Sequence, residues 1–266
     1  MKTTRYRIVV AYDGTVYQGW QRQPDVITVV FVLEKAFARV FGHTINILGA
    51  SRTDAGVHAC GQVASFTIPA YIPPEKIKFA WNNVLPDDVV IRQVDEAPLS
   101  FSPMHDVQSK TYLYHFFIAR PLPFIGRYGW HVHRPVDLEK LQEVFKVFIG
   151  THDFRSFCTG YDMPDTIRTI HSIELEYVPV MQAYRIIFKG PGFLRYMIRR
   201  IVGACLTIAS KQELSAQDAK AVLLAKNPEH TLCNAPAKGL VLYAIKYNNS
   251  TQKDDEDVPP FFFTKT

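Results

Sequence analysis

The order of predicted strands and helices limits the possible folds of this chain more than any other feature. In its first half, apolar periodicity, helix caps and turn residues predict four strands and two helices. These are a strand over 5–12, a helix from a Thr28 cap to about Phe41, strands over 45–50 and 61–68, a helix from Pro73 through Trp81 and a strand over 89–94. The predicted order is β-α-β-β-α-β.

The second half predicts the same order with different residues. Its elements are a strand over 112–119, a helix from an Asp137 cap through Phe148, paired strands over 169–178 and 184–189, a long helix over 193–210, an inserted helix over 219–225 and a strand over 240–247. Such units form four-stranded antiparallel sheets, a shape that RNA-recognition modules also use. We therefore expect an α/β (α+β) fold of two ferredoxin-like halves, with a mostly antiparallel sheet and a central cleft.

The predicted domain boundaries follow from the same repeat. We expect an N-terminal half over 1–104 and a C-terminal half over 105–247. Residues 248–266 mix a charged run with three phenylalanines and predict a disordered tail.

Composition narrows the class of protein. Of the 266 residues 47% are hydrophobic, enough for a sizeable core, and the net charge of +5 favours a polyanionic partner. The four cysteines form no C-x-x-C pair, so the sequence indicates neither a zinc ribbon nor a short-loop disulfide framework. The sequence contains no apolar run of membrane-spanning length and its N-terminus lacks the apolar core of a signal peptide, so we expect a cytoplasmic protein.

The run Gly49-Ala50-Ser51-Arg52-Thr53-Asp54-Ala55-Gly56-Val57-His58-Ala59 is the leading candidate for a functional site. In an extended segment Arg52 points to the same side as Asp54, and a nearby guanidinium favours the ionised carboxylate. Asp54 is therefore a candidate nucleophile or base. The alternative is a turn at the end of a strand with a surface ion pair.

Two further stretches carry candidate residues, each with a structural alternative. Lys110, Tyr112 and Tyr114 share one face of a strand, where a tyrosine can stack on a base and transfer a proton, or can simply be buried on a helix. Arg195 and Arg199 lie one turn apart on an otherwise apolar helix, which favours an anion as ligand over an ordinary solvated face.

The remaining patterns are less specific. The polar and aromatic segment 17–24 suits a loop that touches bases or sugars, and equally a packed surface loop. The apolar start of the last strand at 239–242 predicts core unless a ligand pocket ends there. His131 and His133 could bind a metal from one strand face, but no third ligand lies nearby in sequence. Signature motifs of nucleotide cofactor sites and serine hydrolases do not occur.

Several motifs occur together in a familiar order. They are Tyr12-Asp13-Gly14, Gly19-Trp20-Gln21-Arg22-Gln23, Arg52-Thr53-Asp54-Ala55-Gly56-Val57-His58-Ala59, Lys110-x-Tyr112-x-Tyr114, Met197-Ile198-Arg199-Arg200-Ile201-Val202-Gly203 and Gly239-Leu240-x-Leu242. With these motifs the chain resembles the tRNA pseudouridine synthase A (TruA) family from about Arg5 to Tyr247.

The resemblance implies a pseudouridine synthase fold and isomerisation of uridine to pseudouridine at positions 38, 39 and 40 of the tRNA anticodon stem-loop. It implies no cofactor and no metal, and a homodimer whose tRNA spans both subunits. Asp54 then matches the nucleophile and Arg199 its partner, Tyr112 stacks on the target uracil, Arg52 lies beside the flipped nucleotide and Leu240 forms part of the uracil pocket.

The chain departs from the family pattern at two places. The family usually has Gln where this chain has Val30, and commonly has Arg at the position of Met104. The second departure affects one expected contact with the tRNA backbone and leaves the catalytic set intact.

Two other hypotheses are compatible with the residues. The first is a non-catalytic RNA-binding protein on the same scaffold, for which Asp54 would be dispensable. The second is a metal-dependent hydrolase that uses Asp54, His58, His131 and His133.

Overall fold

The structure is a computed structural model that describes residues 3–105, 107–159, 164–230 and 233–248. The chain divides into two compact units, the first formed by Met1–Gln108 together with the segment from Val241, and the second by Ser109–Leu240. The predicted tail lies outside the described residues except for Asn248.

The strands of the described chain, in order, are β1 (Thr4–Tyr12), β2 (Leu48–Gly49), β3 (His58–Ile68), β4 (Val89–Ala97), β5 (Val107–Phe117), β6 (Trp130–His131), β7 (Gly150–Asp153), β8 (Ile167–Ile170), β9 (Ser172–Val178), β10 (Ala183–Gly190) and β11 (Leu240–Tyr247). The α-helices are α1 (Val29–Phe41), α2 (Pro74–Asn82), α3 (Leu138–Phe145), α4 (Met197–Ala209) and α5 (Ala216–Ala225).

The sheet of the first unit has β1 at its centre. β1 pairs antiparallel with β4 on one side and with β3 on the other. The far edge of β3 carries β2 in antiparallel and β11 in parallel orientation. The elements β1, α1, β2, β3, α2 and β4 therefore follow the predicted β-α-β-β-α-β order with a mostly antiparallel sheet.

The core of the first unit is an aromatic cluster between this sheet and its two helices. Alternate residues of β1 are buried, among them Tyr6, whose ring stacks on Phe66 of β3 at 5.3 Å between centroids. Phe37 of α1 and Trp81 of α2 meet edge to face at 4.9 Å. The indole N–H of Trp81 donates to the carbonyl of Leu33 at 3.1 Å, so its one polar atom is satisfied in the core.

The sheet of the second unit is built around β10. It pairs antiparallel with β5 and with β9, and the short strand β6 lies parallel to β5. β7 and β8 form a separate antiparallel pair. The mixed α/β architecture and the mostly antiparallel pairing agree with the predicted fold class.

Helix ends that depend on local capping match the sequence prediction closely. α1 has Thr28 as its N-cap and Gly42, at φ 67°, as its left-handed C-cap. The capping box of Ser215 and Asp218 is present at the start of α5.

Elements whose ends depend on distant residues differ from the prediction. The strand predicted over 45–50 is only Leu48–Gly49, and α4 begins at Met197 instead of 193 because Tyr196 is left-handed at φ 64°. The strand predicted over 169–178 is interrupted at His171, where β8 leaves for β7 while β9 stays with β10.

The start of β5 and the end of α3 also differ from the prediction. β5 begins at Val107, five residues before the predicted start, and its pairing with β10 extends back as far as Lys110. α3 ends at Phe145 instead of Phe148, and the next residues continue as turns in which the Phe148 N–H reaches the Phe145 carbonyl at 3.0 Å.

Candidate active site

Asp54 lies in the loop that joins β2 to β3 in the first unit. Its neighbours alternate in exposure: Arg52 is exposed, Thr53 is buried and Asp54 is half-buried. The loop turns at Gly56, which adopts φ 77°, and the Val57 N–H closes the turn on the carbonyl of Asp54 at 3.1 Å. A left-handed glycine makes this sharp turn without the strain that another residue would introduce.

A second segment of backbone, 17–20, lies against the Asp54 loop and holds it. The Trp20 N–H donates to the carbonyl of Thr53 at 3.1 Å, and the Gly56 N–H donates to the carbonyl of Tyr17 at 3.2 Å. Gly19 adopts φ 88°, and a Cβ there would lie only 2.6 Å from the Thr53 carbonyl oxygen. The two backbones therefore approach as closely as glycine allows on both sides of Asp54.

The aromatic residues of this segment belong to the interior. Tyr17 is 4% exposed and Trp20 is 1% exposed. The hydroxyl of Tyr17 donates to the carboxylate of Asp88 at 2.5 Å, and burial together with Asp88 raises the pKa of Tyr17. Of the two interpretations of 17–24, packing therefore applies to its first half, whereas the residues after Trp20 are exposed.

Side chains brace the loop from both ends. The hydroxyls of Tyr12 and Thr53 lie 2.8 Å apart in the interior. At the other end the Gly14 N–H donates to Nδ1 of His58 at 3.1 Å, and a carboxylate oxygen of Asp13 lies 3.0 Å from the same nitrogen. His58 is thus a buried support of the loop within the first unit.

A buried glutamine fixes the residue that precedes Arg52. Gln62 of β3 is fully buried, and its amide accepts from the Ser51 N–H at 3.2 Å and donates to the Ser51 carbonyl at 2.6 Å. Both backbone groups of Ser51 are satisfied by one side chain, so the chain enters the Asp54 loop in a defined direction.

In the second unit, Tyr112 occupies the middle of β5. It is 6% exposed and its ring meets Phe193 edge to face at 5.4 Å. On the same strand face burial lowers the pKa of Lys110 to about 8. This face is therefore largely buried, as the structural interpretation of the tyrosines predicts, and Tyr112 packs against the residues that lead into α4.

A second connected group is formed by Tyr114, Arg199 and the segment 235–239. The hydroxyl of Tyr114 donates to the Pro236 carbonyl at 3.0 Å, and Nε of Arg199 donates to the Ala235 carbonyl at 2.8 Å. The Ala235 N–H returns a bond to the Arg199 carbonyl at 3.0 Å. Burial raises the pKa of Tyr114 well above its ordinary value, although the charge of Arg199 opposes the shift.

Leu240 is buried directly after this segment, at the start of β11. A Cβ on Gly239 would lie 2.6 Å from the Tyr114 ring, so the chain passes the tyrosine at the closest possible approach. Tyr114 thereby sets the path of the chain into Leu240.

Arg195 lies before the start of α4 and Arg199 lies within it, so the two arginines are not one turn apart on one helix as predicted, but they share an aromatic neighbour. The guanidinium carbons of Arg195 and Arg199 both lie 5.1 Å from the centre of the Tyr196 ring. The ring of Tyr196, whose backbone is left-handed at φ 64°, therefore makes cation–π contacts with both arginines.

Sequence comparisons identify the family. The family model described as tRNA pseudouridine synthase matches residues 8–105 and 144–248. The chain belongs to this family. Its relatives named tRNA pseudouridine synthase A include one from Thermotoga neapolitana, 40% identical over 248 residues, and one from Brevibacillus brevis, 39% identical over 246 residues; each match covers 91% of this chain and 99% of the relative.

A solved structure of a Cbf5-Nop10-Gar1 complex aligns with 76% of this chain and 45% of its own, at 12% identity. The TM-score of this alignment is 0.33. Membership rests on the family model and the sequence relatives, and it makes this pseudouridine synthase an isomerase that acts on tRNA.

No α-helix in the part of the chain that the structure describes is long and apolar enough to cross a membrane. Among those same residues, no three or more His, Cys, Asp or Glu side chains are grouped so as to hold a metal ion. The set that a metal-dependent hydrolase would use, Asp54, His58, His131 and His133, is therefore not grouped as a metal site.

The residues that brace Asp54 in the synthase, and the segment 235–239, were not predicted from the sequence. Tyr12 and Thr53 lie in recognised motifs, but no sequence pattern reveals that their hydroxyls meet. The sequence does indicate a role for Gln62. Its amide lies between Gly61 and Val63 in an apolar strand, and a buried amide needs a hydrogen-bond partner. No sequence pattern indicates that the carbonyls of Ala235 and Pro236 accept hydrogen bonds from Arg199 and Tyr114.

Proposed function

We propose that this synthase converts uridine to pseudouridine at positions 38, 39 and 40 of the tRNA anticodon stem-loop, with Asp54 as the nucleophile. The observation that supports this role most directly is the rigid setting of Asp54 between Thr53 and Gly56, both bonded to the segment 17–20. A half-buried carboxylate on a braced loop is held in a fixed geometry before substrate arrives.

The chemistry explains why one carboxylate suffices. The target base must first leave the stack and enter a pocket. The bond between N1 of uracil and C1′ of ribose then breaks, the base turns, and C5 bonds to C1′; C5 loses a proton and N1 gains one. A uracil anion is stabilised by its two carbonyl groups, so it leaves more readily than a sugar alkoxide and needs no paired carboxylic acid.

The remaining roles follow from the family resemblance. Tyr112 stacks on the target uracil, Arg199 pairs with the Asp54 carboxylate, Arg52 lies beside the flipped nucleotide and Leu240 forms part of the uracil pocket. The local settings of two of these residues suit their roles, since Arg52 is exposed and Leu240 follows a firmly held segment. The half over 1–104 then carries the nucleophile, the half over 105–247 completes the site, and the two meet at a cleft.

The same proposal covers assembly and location. The enzyme acts as a cytoplasmic homodimer, with each tRNA in contact with both subunits, and it needs neither a metal nor a cofactor. An excess of basic residues suits a polyanionic substrate of this size.

Tritium release from tRNA that carries tritium at C5 of its uridines tests the reaction and the nucleophile. We expect wild-type protein to release tritium, Asp54→Asn to release none above background, and the matched surface variant Asp87→Asn to behave as wild type, because Asp87 is exposed. Undiminished release by Asp54→Asn would remove Asp54 from the mechanism. Absence of release by the wild type would refute the activity itself.

Substituted transcripts test the position. Replacing the uridine at 38, 39 or 40 by cytidine, one at a time, is expected to remove the tritium that originates from that site. Full release from a transcript without uridine at all three positions would show that the enzyme modifies another part of the tRNA.

A further inference from the structure

The exposed part of the loop before α1 forms a pocket that the proposed mechanism does not use. Residues 22–27 and Phe31 line a cavity of about 470 Å³ on the first unit. This size falls within the range of pockets that hold small molecules.

Hydrogen bonds join the two ends of this loop. The Gln18 N–H donates to the carbonyl of Ile27 at 2.9 Å, and the side-chain amide of Gln23 donates to the carbonyl of Gln18 at 2.9 Å. The neighbouring Gly19 carbonyl accepts from the Val29 N–H of α1 at 3.1 Å. The pocket therefore stands on the same backbone that braces the Asp54 loop.

A stacked pair of side chains forms one wall. The guanidinium carbon of Arg22 lies 5.6 Å from the centre of the Phe31 ring. The Arg22 guanidinium also donates to a carboxylate oxygen of Glu34 at 2.8 Å, and the other oxygen of Glu34 accepts from the Ile47 N–H at 3.1 Å. The plane of the guanidinium is thus held in place although the Arg22 side chain is 59% exposed.

The chemistry of the lining selects the class of ligand. Arg22 and Asp25 contribute opposite charges to the pocket, so it offers no net attraction to a phosphate. A cationic plane, an amide and a carboxylate instead match a neutral group that has a flat face and an edge with donors and acceptors. Val26 and Ile27 are 39% and 56% exposed and add apolar surface for such a face.

We propose that this pocket binds an unstacked nucleobase of the tRNA, at a site separate from the target uridine. The base stacks on the Arg22 guanidinium and presents its edge to Gln23 and Asp25, because arginine planes and aromatic rings are the usual platforms for unpaired RNA bases. The site anchors the substrate and takes no part in bond breaking. This inference rests on the proposed action on tRNA.

The test compares tRNA affinity and turnover in two pocket variants with matched controls. Arg22→Ala and Phe31→Ala are each expected to raise the dissociation constant and KM for tRNA by roughly 5- to 100-fold, the effect of losing one stacked base, with kcat at saturating tRNA within about twofold of wild type. The controls Arg39→Ala and Phe79→Ala make the same changes at exposed positions on α1 and α2 and are expected to bind as wild type. Thermal unfolding checks that each variant is folded.

Arg22→Lys separates stacking from attraction to a phosphate. Lysine keeps the charge and a partner for Glu34 but lacks the flat plane, so we expect it to weaken binding nearly as much as alanine, without changing the salt dependence of binding. Wild-type affinity in Arg22→Lys, or a salt slope reduced by about one, would identify a phosphate contact and overturn the nucleobase assignment.

Wild-type affinity in both alanine variants would overturn the site altogether. Such results would refute the pocket without refuting the proposed function. Failure of the proposed function is a separate outcome, which appears as absent tritium release by the wild-type protein.

Discussion

The hydroxyl oxygens of Tyr12 and Thr53 lie 2.8 Å apart in the interior of the first unit, one residue before Asp54. The Tyr12 ring also stacks on the buried ring of Trp20 at 5.9 Å, and Trp20 bonds through its N–H to the carbonyl of the same Thr53. Side chain and backbone of Thr53 are therefore both fixed, which limits the positions that the Asp54 carboxylate can adopt.

Removing the Tyr12 hydroxyl is expected to loosen Asp54 without changing the packing. Tyr12→Phe keeps the stacked ring, so we expect the free energy of unfolding to fall by about 0.5–1.5 kcal/mol, the usual net contribution of one hydrogen bond. The value of kcat is expected to fall while KM for tRNA stays constant, because the change acts on the reacting group. Urea unfolding and initial rates of tritium release measure both effects. Tyr177→Phe, at a half-exposed tyrosine, is the control, and an unchanged kcat in Tyr12→Phe would contradict the bracing role.

Two glycines with left-handed backbone offer a matched comparison. A Cβ on Gly19 would lie 2.6 Å from the Thr53 carbonyl oxygen, whereas a Cβ on Gly42 would meet nothing within 4 Å. Gly42→Ala is expected to cost about 1–2 kcal/mol of stability from backbone strain alone and to leave turnover unchanged. Gly19→Ala is expected to cost more and to reduce kcat, because the segment 17–20 must move away from the Asp54 loop. Equal losses of stability, with equal kcat, would show that the close approach at Gly19 is unimportant.

Tyr114 is expected to act as a positioning residue in the second unit. Its hydroxyl donates to the Pro236 carbonyl, so Tyr114→Phe leaves a carbonyl without its partner at a cost of about 1–3 kcal/mol if the group stays buried. Because this segment leads into Leu240, kcat is expected to fall more than KM rises. Tyr184→Phe on β10 makes the same change elsewhere in that unit. A loss of stability with normal kcat would assign Tyr114 a purely structural role.

The sequence predicted those parts of the fold that depend on neighbouring residues. The ends of α1 follow from Thr28 and Gly42, residues within one turn of the helix that they cap. The start of α4 could not be predicted in this way, since the left-handed backbone of Tyr196 accompanies contacts of its ring with two arginines. The break at His171 likewise depends on which strand each half of the segment pairs with.

The same difference between neighbouring and distant residues applies to the candidate site. Asp54 and Arg52 could be proposed because their motif is contiguous, and their exposures are compatible with the proposed roles. The supports of Asp54 come from Tyr12 and Trp20, which lie far from it along the chain, and from Gln62 on the strand that follows the loop. The composition of the segment 17–24 could not show that Tyr17 and Trp20 are buried while Arg22 is exposed, because polar and aromatic residues occur in both kinds of loop.

The stability of the protein is expected to rise with pH because of Lys110. Burial lowers its pKa from 10.5 to about 8. Between these values the folded protein has released the proton while the unfolded chain still holds it, so the unfolded state binds more protons and the free energy of unfolding increases with pH. Below about pH 8 both states are protonated and this contribution is constant.

Urea unfolding between about pH 7 and 9.5 should show a rise in the free energy of unfolding of wild type and of Lys78→Met, a change at an exposed lysine of α2. The rise should be smaller in Lys110→Met. The same pH dependence in Lys110→Met and wild type would mean that Lys110 keeps an ordinary pKa in the folded protein.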